Sequence, residues 1–539
     1  MAARLGTHAL LGAFLATVTL VAGGLGLAVR RAPTPAAFQM FGFRHPPIVS
    51  FLALWALVGS VVGASAEQHE VRLVHSGVDR AAPQAVEAAF AQWLARYAVL
   101  PPEAQAPPGP ADPQTPPADP RAPTGGRPAV PLVLVSAGGG GARAASFTAA
   151  VLDCVFLGQS GVRPCAPSTG STWEGVFAAS GSSGGSVGLA SVAAEHRGRD
   201  GDDGWVRERL GTDLQSPALA WRLFSELPDS LLRLGPGMDR AEVLERAWER
   251  RWGGDDDPTN PARAPLLGPP GTAWGGPLLF LNGTDADDGC RVNVSPIDGR
   301  PDASRRTVGG NCHERRADDA RPGDLAATRD LADYLCVDED LSLSTAAFLS
   351  ARGPDTAPPA RLASAPERRQ GSTACDGLAA GEDLHVTGGD GRDPSGASTL
   401  LELWARLEPL VAQQNRAGDV CVVPVFVEVD SGGSGTAAGP AEAAADLFRR
   451  PLGDIDVLSG TRRLEQRYAR FALRSHPGIA APGSWSLSSG SAADVERQVT
   501  MLADNLSAMD VVATWLADDL RCETLSPSPR GRDGGRSGL

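Results

Sequence analysis

The residues best suited to chemistry are a serine and the glycines around it. Ser183 lies in the run SGSSGGS at positions 180–186, between an apolar, β-prone segment at 175–179 and a small-residue stretch compatible with a helix. The pattern G-x-S-x-G between a strand and a helix is typical of a nucleophile elbow, whose sharp turn exposes the serine hydroxyl. We therefore predict Ser183 as a nucleophile. A chance match is the alternative in a chain with 64 glycines.

A second glycine-rich segment has the composition of an anion site. The β-prone run PLVLV at 131–135 ends in SAGGGGAR at 136–143 and leads into a helix-compatible stretch. Backbone N–H groups at the start of a helix bind anions, and each donor to a tetrahedral intermediate contributes about 3 kcal/mol. Gly139, Gly140 and Gly141 are the predicted oxyanion hole. A flexible linker is the alternative, whereas a nucleotide phosphate loop is disfavoured because the chain contains no lysine.

Together, these two segments resemble the patatin-like phospholipase family, specifically its bacterial membrane-attached branch. Segments 237–248, 279–285 and 343–352 resemble that branch in order and spacing, so the similarity spans roughly residues 131–515. The resemblance implies an α/β fold, a three-layer α/β/α sandwich with a mostly parallel sheet, and catalysis by a Ser and Asp dyad without histidine. It also implies a phospholipid, lysophospholipid or neutral lipid substrate and no cofactor, and we find no calcium-loop motif. Arg143 matches a basic residue that follows the oxyanion loop, where it orders the loop.

The aspartate of the family lies in a motif that this chain has altered. The family motif begins D-G-G or D-G-A, and an ungapped alignment puts Gly388 at the position of the aspartate. Asp390-Gly391 preserves the D-G pair two residues later, so we predict Asp390 as the catalytic base. Asp393 is the second candidate, and Asp430 at the end of a strand is interpreted as structural.

The altered motif leaves other hypotheses open. Serine is a poor nucleophile without a base, so the chain could be a degenerate family member with a lipid-binding or scaffolding role. His385 or His196 could instead complete a Ser, His and Asp arrangement. A peptidase or thioesterase acting through the same dyad is a third possibility.

The order of the predicted elements indicates how these residues are positioned. Apolar runs at 131–135, 175–179, 277–281 and 422–429 alternate with helix-like stretches, which predicts a parallel sheet covered on both faces. Pro424 favours an edge or a bulge for the last strand. We predict an amphipathic helix at 82–99 and a Pro-rich linker within the region 67–130, a hydrolase domain over 131–520, and a disordered tail at 521–539.

The N-terminal region predicts attachment to a membrane. The run LLGAFLATVTLVAGGLGLAV within residues 8–29 carries no charge and is long enough to cross roughly 30 Å of hydrocarbon. A second apolar run follows at 48–64, so residues 1–66 are predicted to form two transmembrane helices of a multi-pass cell-membrane protein. A signal peptide is the alternative for the first run. The arginines around the two runs are nearly balanced, so the side of the membrane stays open.

Charge and cysteine content limit the remaining function classes. The net charge is −14 and no basic run is present, which argues against nucleic acid as a partner. The eight cysteines are an even number, and Cys290 and Cys312 bracket a polar stretch. A disulfide there would imply an extracytoplasmic domain, whereas reduced cysteines would fit a cytoplasmic one. Oligomeric state is not predicted.

Overall fold

The structure of the protein is a computed structural model. It describes residues 2–31, 39–40, 54, 69–75, 78–99, 126–157, 173–197, 209–210, 213–232, 239–254, 257–269, 276–298, 328–353, 357–363, 383–432, 439–450, 455–459, 462–474, 485–516 and 520–524.

Helices and strands alternate along most of the described chain. The α-helices are α1 (Ala2–Arg31), α2 (Val86–Val99), α3 (Gly141–Leu152), α4 (Gly184–Arg197), α5 (Gln215–Trp221), α6 (Leu227–Leu232), α7 (Arg240–Glu249), α8 (Leu343–Leu349), α9 (Ala397–Ala417), α10 (Gly439–Phe448), α11 (Ser489–Met501) and α12 (Ala503–Trp515). The strands are β1 (Leu73–His75), β2 (Gln84–Ala85), β3 (Arg127–Ala137), β4 (Val176–Ser182), β5 (Leu278–Asp285), β6 (Arg291–Val294), β7 (Ile297–Asp298), β8 (Thr328–Asp330), β9 (Glu339–Leu341), β10 (Ala360–Leu362), β11 (Leu384–Gly388), β12 (Cys421–Asp430), β13 (Ile455–Ser459), β14 (Arg462–Arg463), β15 (Tyr468–Ala472) and β16 (Leu520–Thr524).

The central sheet is mostly parallel. Strands β5, β4, β3, β12 and β15 pair in that order, each parallel to the next. Within β3, Val133 and Val135 face one hydrophobic core, whereas Leu132 and Leu134 face the other. A strand buried on both faces needs apolar residues at successive positions, which explains the uninterrupted apolar run. The prediction of an α/β fold with a mostly parallel sheet is confirmed.

Helices cover both faces of this sheet. On the face of the larger core, α3, α4, α7, α8, α11 and α12 contribute buried side chains such as Phe147, Trp248 and Phe348. On the opposite face, α2, α9 and α10 contribute side chains such as Trp93 and Phe448. Helix α2, the predicted amphipathic helix, is thus part of the same folded unit as the sheet.

Strand β5 brings the ends of two other strands together. Its first half pairs with β4 in parallel, and its second half pairs with β11 in the antiparallel direction. Strand β6 pairs across both halves and occupies the opposite edge, so β4 and β11 share one edge of β5. Ser182 ends β4 opposite Asn282, and Gly388 ends β11 opposite Gly283. The loops after these two strands therefore begin side by side.

The sheet extends beyond the boundaries predicted for the domain. Strand β3 begins at Arg127, inside the predicted linker, and β16 crosses the predicted start of the tail. Strand β16 pairs antiparallel with β3 and β13, and its Cys522 forms a disulfide with Cys421. These pairings and the covalent link explain why residues 520–524 are ordered with the sheet. Cys154, Cys290 and Cys336 are also disulfide-bonded, while Cys312 lies outside the described residues.

The prediction that Pro424 puts the last strand at an edge or a bulge is wrong for the strand as a whole. Strand β12 has a neighbour on each side, with Pro424 opposite Leu132 of β3. Pairing with β15 begins only at Phe426. Proline lacks a backbone N–H and would break a hydrogen bond wherever that N–H is needed for strand pairing. It is tolerated at position 424 because the pairing of β12 with β15 starts only after it.

The N-terminal helix is long and apolar enough to cross a membrane. The span Gly6–Arg31 contains 26 residues, which corresponds to about 39 Å of helix. Most of its surface is exposed, and it contacts the folded domain through α5 and through the ring of Phe14, whose centroid lies 5.6 Å from that of Phe224. The second predicted transmembrane helix, at 48–64, lies outside the described residues except for residue 54.

Candidate functional site

Ser183 occupies a sharp turn between β4 and α4. Its φ is 50°, and it is the one non-glycine residue with a positive φ in the described part of the chain. A left-handed backbone conformation costs a residue with a Cβ about 1–2 kcal/mol, so the surrounding structure must impose it. Ser183 is 8 % exposed. Its side chain therefore lies at the carboxyl end of the parallel sheet with limited access to solvent.

Close packing explains the glycines that flank Ser183. A Cβ on Gly184 would overlap the backbone of Gly141, and a Cβ on Gly185 would overlap the carbonyl of Ala137. The elbow is therefore pressed against the glycine-rich loop that joins β3 to α3. Only residues without a side chain allow two backbone segments to approach this closely.

Asp390 reaches the elbow from the loop after β11. It lies in a short 3₁₀ turn, Gly389–Gly391, and its Oδ1 accepts a hydrogen bond from Ser182 Oγ at 3.0 Å. The Ser183 side chain lies close enough to this carboxylate to favour its ionised form. The shared edge of β5 explains this meeting, because it aligns the end of β11 with the end of β4. The two-residue shift in the aspartate motif thus still leaves a carboxylate beside Ser183.

The surroundings of Asp390 favour its protonation. The surrounding protein partly desolvates the Asp390 carboxylate and so raises its pKa above the ordinary value, although the residue keeps solvent exposure, and the side chains of Ser182 and Ser183 oppose this effect only in part. A carboxylate with a raised pKa is a stronger base than one with an ordinary pKa, which suits a group that must take a proton from a serine hydroxyl.

The glycine-rich loop differs in detail from the predicted oxyanion hole. Helix α3 begins at Gly141, whose φ is 64°, with Gly140 as its N-cap at φ 135°. Amides at a helix start have no acceptor within the helix, so those of Gly140 and Gly141 are free of intrahelical bonds. The amide of Gly139 instead donates to the carbonyl of Pro394 at 3.0 Å. Gly139 therefore does not have a spare donor, and its missing side chain makes room for the carboxylate of Asp390.

Sequence reasoning missed a third candidate donor. Gly184 is the first residue of α4, directly after Ser183, and its backbone lies beside that of Gly141. The residue after the nucleophile commonly supplies one N–H of an oxyanion hole, and this signal was present in the elbow motif. The amides of Gly140, Gly141 and Gly184, each at or beside the first residue of a helix near Ser183, are therefore the candidate oxyanion donors.

Arg143 ties the glycine-rich loop to the end of β12. Its guanidinium donates to the carbonyl of Ser431 at 2.9 Å, and Ser431 in turn donates to the carbonyl of Gly139. Burial lowers the pKa of Arg143, with Asp430 acting in the opposite direction. These contacts agree with the ordering role expected for Arg143.

The other acidic candidates are engaged elsewhere. Asp393 is fully buried and accepts hydrogen bonds from the amide and hydroxyl of Thr399, both at 2.9 Å, in the first turn of α9. Asp430 accepts from the amide of Gly432 and pairs with Arg470. Neither makes a hydrogen bond to the elbow, so Asp390 is the one of the three candidates that does.

Neither of the two histidines considered for a triad is placed to act on Ser183. The Nδ1 atom of His385 lies 2.7 Å from a carboxylate oxygen of Asp287. His196 is near the end of α4, and the thirteen residues that separate it from Ser183 correspond to about 20 Å of helix. Neither position supports a histidine acting on Ser183.

Comparison with known proteins gives little beyond this geometry. No family model and no curated protein matches the chain. Among solved structures, it is similar to the human GIVD cytosolic phospholipase A2, with 14 % identity and a TM-score of 0.29. The match covers 72 % of this chain and 63 % of the other, so the chain spans less than two thirds of that protein.

Proposed function

We propose that the protein is a membrane-associated serine hydrolase that cleaves acyl esters of lipids through a Ser183 and Asp390 dyad. The observation that carries the proposal is the carboxylate of Asp390, hydrogen-bonded to Ser182 at 3.0 Å and close to the Ser183 side chain, beside an elbow that holds Ser183 at a φ of 50°. A base within hydrogen-bond reach is what a serine hydroxyl needs to act as a nucleophile at neutral pH.

The proposed reaction has two steps. Asp390 takes the proton of Ser183 as Oγ attacks the ester carbonyl carbon, and the carbonyl π electrons move to the oxygen. The amides of Gly140, Gly141 and Gly184 bind this oxyanion. Collapse expels the alcohol, which takes the proton from Asp390 and leaves an acyl-enzyme. Water then attacks the acyl-enzyme with Asp390 as base, releasing the fatty acid and restoring Ser183.

The N-terminal helix and the disulfides support a substrate and a location. A helix of membrane-spanning length would hold the domain at a surface where phospholipids, lysophospholipids or neutral lipids are concentrated. Disulfides such as Cys421–Cys522 persist mainly in oxidising compartments. We therefore place the catalytic domain on the extracytoplasmic side of the cell membrane. The two-helix, multi-pass topology stays a prediction.

A fluorophosphonate probe, which reacts covalently with activated serines, tests the proposal. The unmodified chain should be labelled, and Ser183→Ala should abolish labelling. Asp390→Asn should slow it by at least about a thousandfold, since the isosteric amide cannot accept the proton. Asp430→Asn is the matched control, because Asp430 pairs with Arg470 rather than with the elbow. It should retain most of the labelling rate.

Two results would change the conclusion. A folded chain that is not labelled would favour the non-catalytic, lipid-binding alternative. A labelled chain that cleaves peptides or thioesters faster than phospholipid vesicles would keep the dyad and change the substrate class.

A further inference from the structure

One carbonyl oxygen joins the two halves of the candidate dyad. The carbonyl of Ser350, directly after α8, accepts the amide of Ser183 at 3.2 Å and the amide of Gly389 at 3.1 Å. Gly389 is the residue before Asp390. The backbone that presents the nucleophile and the backbone that presents the base therefore share a single acceptor.

The hydroxyl of Ser350 strengthens the same link. Ser350 Oγ accepts the Ser183 amide at 3.0 Å and donates to the carbonyl of Asn282 at 2.5 Å. It also lies 2.7 Å from Ser186 Oγ. A hydroxyl has one hydrogen, and that hydrogen is used on Asn282, so Ser186 must donate to Ser350. Ser350 is fully buried, and its carbonyl and hydroxyl oxygens contact β5, the elbow, the start of α4 or the Asp390 loop.

Arg352 anchors this connection to the rest of the domain. Its carbonyl accepts the amide of Gly388 at 2.6 Å. Its buried guanidinium lies 3.6 Å from a carboxylate oxygen of Asp239 and 3.9 Å from one of Glu245. Residues 350–352, which we call the bridging segment, are thus held by carboxylates on one side and hold both active-site loops on the other.

We infer that Ser350 is a positioning residue that keeps Ser183 in its left-handed conformation and at a constant distance from Asp390. The inference rests on the proposed function. The Ser183 amide donates to Ser350 and so cannot also bind an oxyanion. The proposed oxyanion donors are therefore the amides of Gly140, Gly141 and Gly184. Loss of the Ser350 hydroxyl leaves Ser183 with one acceptor in place of two. The elbow can then relax, and its Oγ moves relative to the base.

Removing this hydroxyl tests the inference in the full-length chain. Ser350→Ala should lower kcat for a soluble short-chain ester about tenfold to a hundredfold with little change in KM, since small displacements of reacting groups have effects of this size. The rate constant of fluorophosphonate labelling should fall in parallel. Ser350→Thr, which retains a hydroxyl at the same position, should restore most of the rate.

Ser344→Ala is the matched control. Ser344 is also fully buried, lies on α8, and has a hydroxyl that donates to Glu249 at 2.6 Å and accepts from Arg72 at 2.9 Å. Its loss should lower the unfolding temperature without changing kcat by more than about twofold, since Ser344 does not contact the elbow. Both variants are assayed well below their unfolding temperatures.

The outcomes separate this inference from the proposed function. If the unmodified chain reacts and Ser350→Ala reacts equally fast, the inference is wrong and the dyad stands. The same holds if Ser344→Ala loses as much rate as Ser350→Ala. If the unmodified chain does not react at all, the proposed function fails. If Ser350→Ala does not fold, amide hydrogen exchange in the unmodified chain decides, with the amides of Ser183 and Gly389 expected to be protected and rapid exchange of either overturning the inference.

Discussion

Adding one methyl group at Gly139 should separate the base from the nucleophile. An ideal Cβ at this position would lie 2.1 Å from Asp390 Oδ1 and 3.0 Å from its Cγ. Carbon and oxygen atoms approach to about 3.3 Å, so the carboxylate must retreat by about 1 Å. Gly139 does not have a positive φ, and alanine there brings no backbone strain. The effect of Gly139→Ala is thus confined to the position of Asp390.

A displacement of this size predicts the magnitude of the effect. Moving a catalytic group by about 1 Å can cost about a hundredfold in rate, which corresponds to about 3 kcal/mol of transition-state stabilisation. We expect kcat/KM for a p-nitrophenyl ester to fall by this factor in Gly139→Ala, and the rate constant of fluorophosphonate labelling to fall with it. Circular dichroism during heating would confirm that the variant is folded.

Gly391→Ala provides the matched control. Gly391 follows Asp390 in the same turn, but a Cβ there would meet its nearest neighbour, the side chain of Thr284, at an ordinary 3.6 Å. This variant should keep its activity within about threefold. Full activity in a folded Gly139→Ala variant, or an equal loss in both variants, would refute the role of Asp390 as the base.

Two further predictions concern pH. Activity requires ionised Asp390, whose pKa is raised by desolvation of the carboxylate, so the acid limb of kcat/KM should lie above the usual range of aspartate. Ser182→Ala removes a hydrogen bond that favours the ionised form of Asp390, so the acid limb should move to higher pH. Ser182→Thr keeps the hydroxyl and should leave the limb in place. An unmoved limb in Ser182→Ala would contradict the assignment of this limb to Asp390. Burial also raises the pKa of Glu245 from 4.5 to about 6, so the folded state binds its proton more tightly than the unfolded state. Stability should fall by about 2 kcal/mol as pH rises through this range, and urea unfolding of Glu245→Gln should lack that component. If the free energy of unfolding depended on pH identically in the parent and in Glu245→Gln, the raised pKa of Glu245 would be contradicted.

Local features of the site could be predicted from the sequence because their requirements are local. A turn that exposes a serine between a strand and a helix needs small residues within a few positions, and such a pattern surrounds Ser183. The glycine-rich stretch before α3 is recognisable for the same reason. Apolar runs alternating with helix-like stretches indicate a parallel sheet, since burial on both faces requires apolar residues at each position.

Contacts between segments far apart in the chain could not be predicted from local sequence patterns. Alignment to a motif put a glycine where an aspartate was expected, and only the pairing of β11 with the β4 side of β5 shows that Asp390 still reaches the elbow. The engagement of the Gly139 amide by Pro394, and the acceptance of two amides by Ser350, also depend on residues far apart in the chain. The prediction from Pro424 failed for the same reason. The free-energy cost of a proline in a strand depends on where pairing with the second neighbouring strand begins.

Ser183 shows what the sequence alone determined and what depended on the tertiary structure. Its neighbours in the chain determined that it lies on a tight turn, because steric exclusion of Cβ atoms acts over a few residues. Its partners are Asp390 and Ser350, which lie more than 160 residues further along the chain. Hydrogen bonds between such segments depend on strand order and register, so only the tertiary structure decided which carboxylate and which carbonyl meet this serine.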